Sequence, residues 1–153
     1  MAQQLKLGNL TICASDLSLT FIDSQDRRSA VSWSVSTQVL RGRVTPEKEG
    51  ARLPAKLIVH LVPAETASAN DVLRYAETVA EREGAFEFRN MAPGKYRLLA
   101  RAAPDDEPSD RPSAPAAWDA NERAKLRKEA EAMRVEIELK PCQRVTDQVV
   151  KYR

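Results

Sequence analysis

Hydrophobic and polar residues alternate with a period of two along much of the chain. The clearest early case is residues 31–39, where three valines and Trp33 share one face with Thr37, while three serines fall on the other. Similar alternation marks residues 10–13 and 17–22. Because successive side chains of a strand point to opposite faces, this pattern predicts half-buried antiparallel strands.

A nearly continuous apolar segment at residues 57–62 predicts a central strand that is buried on both faces. Pro54 and Pro63 flank it, at positions where a missing backbone N–H does little harm. Residues 72–80 fit either a strand or a short helix, and their apolar positions favour a strand. Strict alternation over residues 134–140, and a further apolar pattern over 145–152, predict the last two strands.

Residues 85–101 predict a β-hairpin. Phe86 and Phe88 alternate with smaller or charged residues in the first strand, and a second alternating strand begins after Gly94. Between the two strands, Pro93 and Gly94 are the pair that a type II turn favours. Proline fixes φ at about −65°, and glycine readily adopts the positive φ that follows.

The segment 104–117 is rich in proline and acidic residues and predicts a long exposed loop. The residues after it predict a helix at about 119–133, because Asp119 and Glu122 have the spacing of an N-terminal capping box. Its apolar stripe is narrow and consists of Leu126, Ala130 and Met133. We therefore expect a solvated helix that covers one sheet edge, or a helix that docks against a neighbouring subunit or domain.

About nine short strands, one inserted helix and no βαβ alternation predict an all-β fold, an antiparallel β-sandwich. The length of 153 residues suits a single domain, 1–153, that buries a core without help from a metal. The loop and helix between residues 104 and 133 form an insertion in this domain.

Composition argues against several classes of partner. Lys and Arg number 24 against 22 Asp and Glu, and an excess of only two gives no electrostatic footprint for nucleic acid. No apolar run approaches the length of about 20 residues that a membrane helix needs, so we expect no membrane insertion. Aromatic residues make up 5% of the chain, so a carbohydrate would depend on few rings. Trp118 is the better candidate, because Trp33 lies in a core pattern.

The sequence predicts no catalytic site, no cofactor-binding site and no metal-binding site. We therefore expect a protein that is not an enzyme. His60 is the one histidine, and the sequence indicates neither a Ser-His-Asp arrangement nor a His-based metal cluster. Its place in the most apolar strand is typical of a hydrogen-bonded residue of the core or of the sheet surface. Four acidic residues lie in the Pro-rich loop, without the spacing of a calcium-binding EF-hand, and predict a solvated loop: Asp105, Asp106, Glu107 and Asp110.

Two cysteines, Cys13 and Cys142, lie near opposite ends of the chain. Neither belongs to a CxxC pair, so a zinc site is not expected. The two cysteines are expected either as two separate buried thiols or as a disulfide between the first and last strands, with the disulfide slightly favoured. A disulfide would place the protein in an oxidising compartment.

Four short motifs resemble one known family: RGRVT at residues 41–45, LPA at 53–55, EGAFEF at 83–88 and MAPGKYRL at 91–98. The stretch 40–101 is similar in these motifs to the carboxypeptidase regulatory-like family, a transthyretin-type sandwich related to Cna-B repeats. Glu83 departs from that family, which often has Asp or Asn before the glycine. The 104–133 insertion is a second departure, since the family core lacks it.

The resemblance implies an immunoglobulin/transthyretin-like sandwich without catalytic activity. It also implies a structural or protein-interaction module of a secreted or cell-surface bacterial protein, including a self-assembling subunit, whose partners are copies of itself or neighbouring domains. Exposed strand edges would bind by adding strands, and the terminal strands around Cys13 and Val149 are the expected edges. The alternative is a carbohydrate- or peptide-binding accessory domain of a larger exported protein.

Overall fold

The computed structural model describes residues 38–103 and 115–153 with their side chains, and the backbone alone of four N-terminal strands. These strands form two antiparallel pairs, β1 with β2 and β3 with β4. Their bounds are β1 Gln3–Leu7, β2 Leu10–Ala14, β3 Leu19–Ile22 and β4 Arg28–Val31. The strands expected near residues 10–13 and 17–22 are thus confirmed as strands. Most of the strand expected at 31–39, including Trp33, lies outside the described residues.

Within residues 38–103 and 115–153, seven further strands form two sheets. The four-stranded sheet has the order β10-β9-β6-β7 and the three-stranded sheet the order β11-β5-β8. The bounds are β5 Val39–Pro46, β6 Leu57–Pro63, β7 Ala76–Val79, β8 Ala85–Arg89, β9 Gly94–Ala102, β10 Glu136–Leu139 and β11 Arg144–Tyr152. One α-helix, α1, spans Ala120–Met133 between β9 and β10.

The two sheets bury their inner faces against each other, which makes this part of the chain a β-sandwich. Both sheets contribute to one buried cluster, in which Tyr96, Leu98, Leu61 and Val59 are fully inaccessible. The cluster consists of Leu40, Val44, Leu57, Val59, Leu61, Phe86, Phe88, Tyr96, Leu98, Ala100, Ile137, Leu139 and Val150. Alternation of apolar and polar residues predicted most of these inward positions correctly.

Strand β6 is the central strand that its apolar sequence predicts. It lies between β9 and β7, and six of its seven residues are buried. The last two strands are also confirmed, as β10 and β11. The ambiguous segment 72–80 divides, since Val72–Arg74 forms a 3₁₀ turn and only Ala76–Val79 forms a strand.

The predicted hairpin between β8 and β9 is wrong. β8 pairs with β5, whereas β9 pairs with β6 and β10, so the chain crosses from one sheet to the other between them. The alternating residues of both strands do face one core, but from opposite sides. Alternation identifies the buried face of a strand and not its hydrogen-bonded neighbour.

Side chains hold the bend at Pro93 and Gly94. Tyr96 donates its hydroxyl to the carbonyl oxygen of Ala92 at 2.8 Å, and Arg74 donates Nη1 to that of Pro93 at 2.6 Å. Gly94 has φ of 151°, which differs from the value of about 80° at the third residue of a type II turn. A Cβ at Gly94 would lie 2.6 Å from Arg74 Nη1 and would displace the guanidinium, and the positive φ itself favours glycine over residues with a side chain.

One strand pair departs from the expected antiparallel sandwich. β11 runs parallel to β5, and its register shifts between Val145 and Gln148. Period-two alternation is the same in parallel and antiparallel strands, so the sequence pattern carries no information on direction.

Helix α1 covers a sheet face and not an edge, which corrects the expected position. Leu126 and Ala130 pack on Val62 and Leu99, which lie on the outer face of β6 and β9, and on Ala117. Val62 and Leu99 are apolar residues on a face that otherwise bears charged side chains, and the helix shields them from solvent. Asp119 caps the helix as expected, accepting hydrogen bonds from the backbone N–H groups of Asn121 and Glu122. Within the described ranges, no helix has the length and apolar content to cross a bilayer.

Candidate functional site

A histidine–glutamate pair lies on the outer face of the four-stranded sheet. The β6–β7 register places His60 directly opposite Glu77. His60 Nδ1 lies 3.4 Å from Glu77 Oε2, and His60 is only 5% exposed. Cross-strand neighbours on one face come close enough for their side chains to interact, so the pairing of the strands itself brings this pair together.

The environment of Glu77 favours its charged form. The hydrogen bond with His60 lowers the pKa of Glu77 most strongly. Burial raises the pKa, while the charge of His60 and a hydrogen bond from the backbone N–H of Ala116 lower it further, and the net shift is downward. Glu77 is therefore a carboxylate at neutral pH, and its side chain remains 29% exposed.

A cavity of about 210 Å³ adjoins the pair. Its floor is the outer face of β6 and β7, and its walls come from the 3₁₀ turn before β7, from the 3₁₀ turn Ala116–Trp118 that precedes α1, and from Leu126 of α1. The lining residues are His60, Leu61, Val72, Tyr75, Ala76, Glu77, Pro115, Ala117, Trp118 and Leu126. Apart from the pair and the Tyr75 hydroxyl, which donates to the carbonyl oxygen of Ala69 at 2.7 Å, these side chains are apolar.

Trp118 forms part of the cavity wall and is 68% exposed. It ends the 3₁₀ turn Ala116–Trp118, directly before the N-cap of α1. Arg123 holds this turn, because its Nη1 donates to the carbonyl oxygens of Ala117 at 2.9 Å and Trp118 at 3.1 Å. The helix residue Arg123 thus fixes the backbone of Trp118, while the indole ring of Trp118 is exposed to solvent.

Asp119 fixes the start of the helix beside this ring. Its Oδ1 accepts from the N–H of Asn121 at 2.8 Å and of Glu122 at 2.9 Å. The hydrogen bonds from Glu122 and Asn121 lower the pKa of Asp119. The Glu122 carboxylate accepts from Lys125 at 2.5 Å, so the cap that the sequence predicts is made by the aspartate.

The chemistry of the cavity suits binding. A buried imidazole and a carboxylate are present, but the described residues that line the cavity include neither serine nor cysteine as a nucleophile. Among the residues that the structure describes, no three histidine, cysteine, aspartate or glutamate side chains are grouped so that they could hold a metal ion. An apolar cavity with one charged group is able to select a ligand by shape and charge.

Sequence reasoning expected His60 in the core or on the sheet surface, and the structure places it buried on the outer face of the sheet, opposite Glu77. It also identified Trp118 as the ring to examine. It missed Glu77, since this residue belongs to the ambiguous segment 72–80. The signal that identifies Glu77 is its position opposite His60, which becomes visible only when the β6–β7 register is known.

The two predicted disulfide partners are described to different extents. Cys142 lies in the turn between β10 and β11, with φ of 63°, and Gln143 N donates to the carbonyl oxygen of Lys140 across this turn. The side chain of Cys13 lies outside the described residues, so the Cys13–Cys142 pairing stays a prediction. The acidic cluster Asp105–Asp110 also lies outside them.

Comparison of the chain with protein-family models, with curated proteins and with solved structures finds no match.

Proposed function

We propose that this protein is a non-catalytic structural or protein-interaction module of a secreted or cell-surface bacterial protein. It associates with copies of itself or with neighbouring domains through the edges of its sheets. We further propose that the sandwich is of the immunoglobulin/transthyretin-like type. The two facing sheets of four and three strands and the family-like motifs between residues 41 and 98 support this finer class.

The observation that carries the proposal is the position of the large apolar side chains that are exposed to solvent. Val79 and Val149 are 53% and 54% exposed, and they lie on β7 and β11, each the last strand of its sheet in the described part of the chain. Among the residues whose side chains the structure describes, the other large apolar residues that are exposed lie beside β7: Val72, Leu73 and Trp118. Edge strands usually carry charged residues that prevent pairing with other chains, so valines at these positions favour strand addition.

Self-association through the edges is tested by the mass of the full chain in solution. Light scattering after size exclusion, over a range of concentrations and with and without reductant, should show a mean mass that rises with concentration. Val79→Lys and Val149→Lys should each reduce the association, because a lysine on an edge strand opposes pairing with a second strand.

Leu73→Lys is the matched control. Leu73 is 86% exposed and lies in the 3₁₀ turn, so this variant also exchanges one exposed apolar side chain for a charge, but away from a strand. It should associate like the wild type. Equal association of all four proteins, or a monomer at every concentration, would contradict self-association through β7 and β11.

A carbohydrate-binding role is the second candidate, and the exposed ring of Trp118 beside a cavity favours it. A flat aromatic ring that is open to solvent is able to stack on a sugar. Titration with neutral glucose oligomers should then change the tryptophan fluorescence of the wild type and leave that of Trp118→Ala unchanged. The absence of any change at millimolar sugar would exclude this candidate.

A further inference from the structure

We propose that the edge of β7 binds an extended segment of a partner protein, and that a lysine or arginine of this segment enters the cavity beside Glu77 and Trp118. This inference rests on the proposed interaction function and names the edge and the chemistry of its partner.

The backbone of β7 is prepared for a further strand. Ala80 N donates to the carbonyl oxygen of Leu57 at 2.8 Å, which makes these two residues a hydrogen-bonded pair. Bonded and non-bonded pairs alternate along an antiparallel ladder, so the N–H and C=O groups of Glu77 and Val79 point away from β6. β7 ends its sheet within the described residues, and an incoming strand would bond to these groups.

The side chains of β7 define the sequence of such a strand. Glu77 and Val79 lie on the same face of β7 as the cavity, because their neighbours Ala76 and Ala80 pack on the core. In an antiparallel partner, the residue opposite Val79 and the residue opposite Glu77 are two positions apart. A β-branched residue suits the first position and a cation the second, since opposite charges on facing residues attract.

The cavity fits the side chain of a basic residue. Glu77 is its one acidic residue, and the described lining includes neither lysine nor arginine. On the outer face of the same sheet, Arg101 is already paired with Glu129 at 2.6 Å. The carboxylate of Glu77 accepts from His60 and Ala116, which leaves acceptor capacity for a third donor.

Size and aromatic content favour one side chain over a whole small molecule. The volume of about 210 Å³ is below the range of roughly 300–1,000 Å³ that is common for small-molecule sites. Val72 and Leu126 offer apolar walls to the methylene stem of a lysine or arginine. The face of the Trp118 ring attracts a cation, so the charged end meets a carboxylate and an aromatic ring together.

The probe is the capped peptide acetyl-Thr-Val-Thr-Lys-Thr-amide, titrated into the ¹⁵N-labelled chain of 153 residues and followed by NMR. Its valine would face Val79 and its lysine Glu77. We expect shifts at the backbone amides of Glu77 and Val79 and at the indole N–H of Trp118. The same peptide with glutamate in place of lysine should bind about tenfold more weakly or less, and the norleucine peptide several-fold more weakly.

Protein variants separate the contributions of charge and ring. Glu77→Gln should abolish the preference for lysine over norleucine, and Trp118→Ala should weaken the lysine peptide several-fold. Leu73→Ser is the matched control, since Leu73 is exposed in the 3₁₀ turn before β7 but does not line the cavity. This variant should change neither the preference for lysine over norleucine nor the affinity for the lysine peptide. Raising the salt concentration should weaken the lysine peptide and not the norleucine peptide, because only the former forms an ion pair.

The outcomes distinguish this inference from the proposed function. Equal binding of the lysine and norleucine peptides with shifts on β7 would leave strand addition standing and overturn the basic pocket. Shifts confined to β11 would overturn this inference and leave the proposed function standing. The same conclusion would follow if the chain self-associated through its edges but bound none of the peptides. A Trp118 shift with neutral sugars and none with the peptides would assign the cavity to carbohydrate and overturn it as well.

Discussion

The pair of His60 and Glu77 shows how one contact between two strands creates a polar centre on an apolar strand. A buried imidazole in β6 needs a hydrogen-bond partner, because a buried polar group without one costs about 1–3 kcal/mol. Glu77 provides it from the neighbouring strand at 3.4 Å. The same contact keeps the carboxylate charged at the edge of the cavity.

Substitution Glu77→Gln should lower the free energy of unfolding at neutral pH by about 1 kcal/mol, since the amide is a weaker acceptor than the carboxylate. The pKa of Glu77 in the folded protein is lower than its ordinary value of 4.5. Its contribution is therefore fully present above pH 4.5, declines as the pH falls through the lowered pKa, and is absent below it. Urea unfolding of both proteins at neutral pH and in acid measures this difference.

Glu138→Gln is the control for this prediction. Glu138 is an exposed glutamate of β10 in the same sheet, so its substitution should leave the stability nearly unchanged at each pH. A difference between Glu77→Gln and the wild type that is the same at pH 7 and in strong acid would show that the carboxylate charge makes no contribution.

At the residue scale, the sequence predicted the buried positions well, but it did not predict which side chains contact each other. The alternation of β9 assigned Tyr96 and Leu98 to the core, and both are fully buried. Glu77 was not predicted as a site residue, because its role depends on a strand 17 positions away in a register that alternation leaves open. The exposure of Trp118 depends on how the helix is placed, and one sequence pattern does not define that placement.

At the element scale, the parallel pair of β5 and β11 depends on one glycine. The register of β11 shifts between Val145 and Gln148, and this irregularity brings the backbone of Gln148 opposite Gly42. A Cβ at Gly42 would collide with the Gln148 carbonyl oxygen and lie 2.5 Å from the Phe86 ring. The close approach of two backbones and a core ring therefore requires glycine at this position.

Gly42→Ala should consequently destabilise the protein by about 3 kcal/mol, because neither a strand backbone nor a buried ring yields without disturbing the core. Gly50→Ala provides the comparison. Gly50 has φ of 80° but nothing within 4 Å of its Cβ position, so only backbone strain of about 1 kcal/mol is expected. Urea unfolding measures both, and an equal loss in the two variants would contradict the close packing of β11 against β5.

The elements also show where sequence reasoning reaches its limit. Helix α1 was predicted within one residue of its observed start, because Asp119 is a strong local cap. The pairing of β8 with β5 and the direction of β11 were not predicted. Both depend on contacts between residues far apart in the chain, whereas periodicity reports only the local division into buried and exposed faces.

At the scale of the whole molecule, the two cysteines lie in different parts of the chain, one in the N-terminal strands and one in the sandwich. A bond between Cys13 in β2 and Cys142 in the turn before β11 would connect these two parts. The turn holds Cys142 at φ of 63°, a conformation that costs a residue with a Cβ about 1–2 kcal/mol relative to the ordinary helical region. A covalent bond that needs the thiol in this place is a physical reason for cysteine where glycine would be less strained.

The predicted disulfide should therefore be present in the oxidised chain. A thiol assay in denaturant should detect no free thiol before reduction and two after it, and mass spectrometry of the digested protein should find a peptide that links Cys13 to Cys142. Loss of the bond in Cys13→Ser should lower the free energy of unfolding by roughly 4–5 kcal/mol, because the bond closes a loop of more than 100 residues. Cys142→Gly loses the same bond but relieves the strained turn, so it should be less destabilised than Cys13→Ser. Two thiols in the untreated protein would instead indicate two independent cysteines, and the positive φ of Cys142 would then be uncompensated strain.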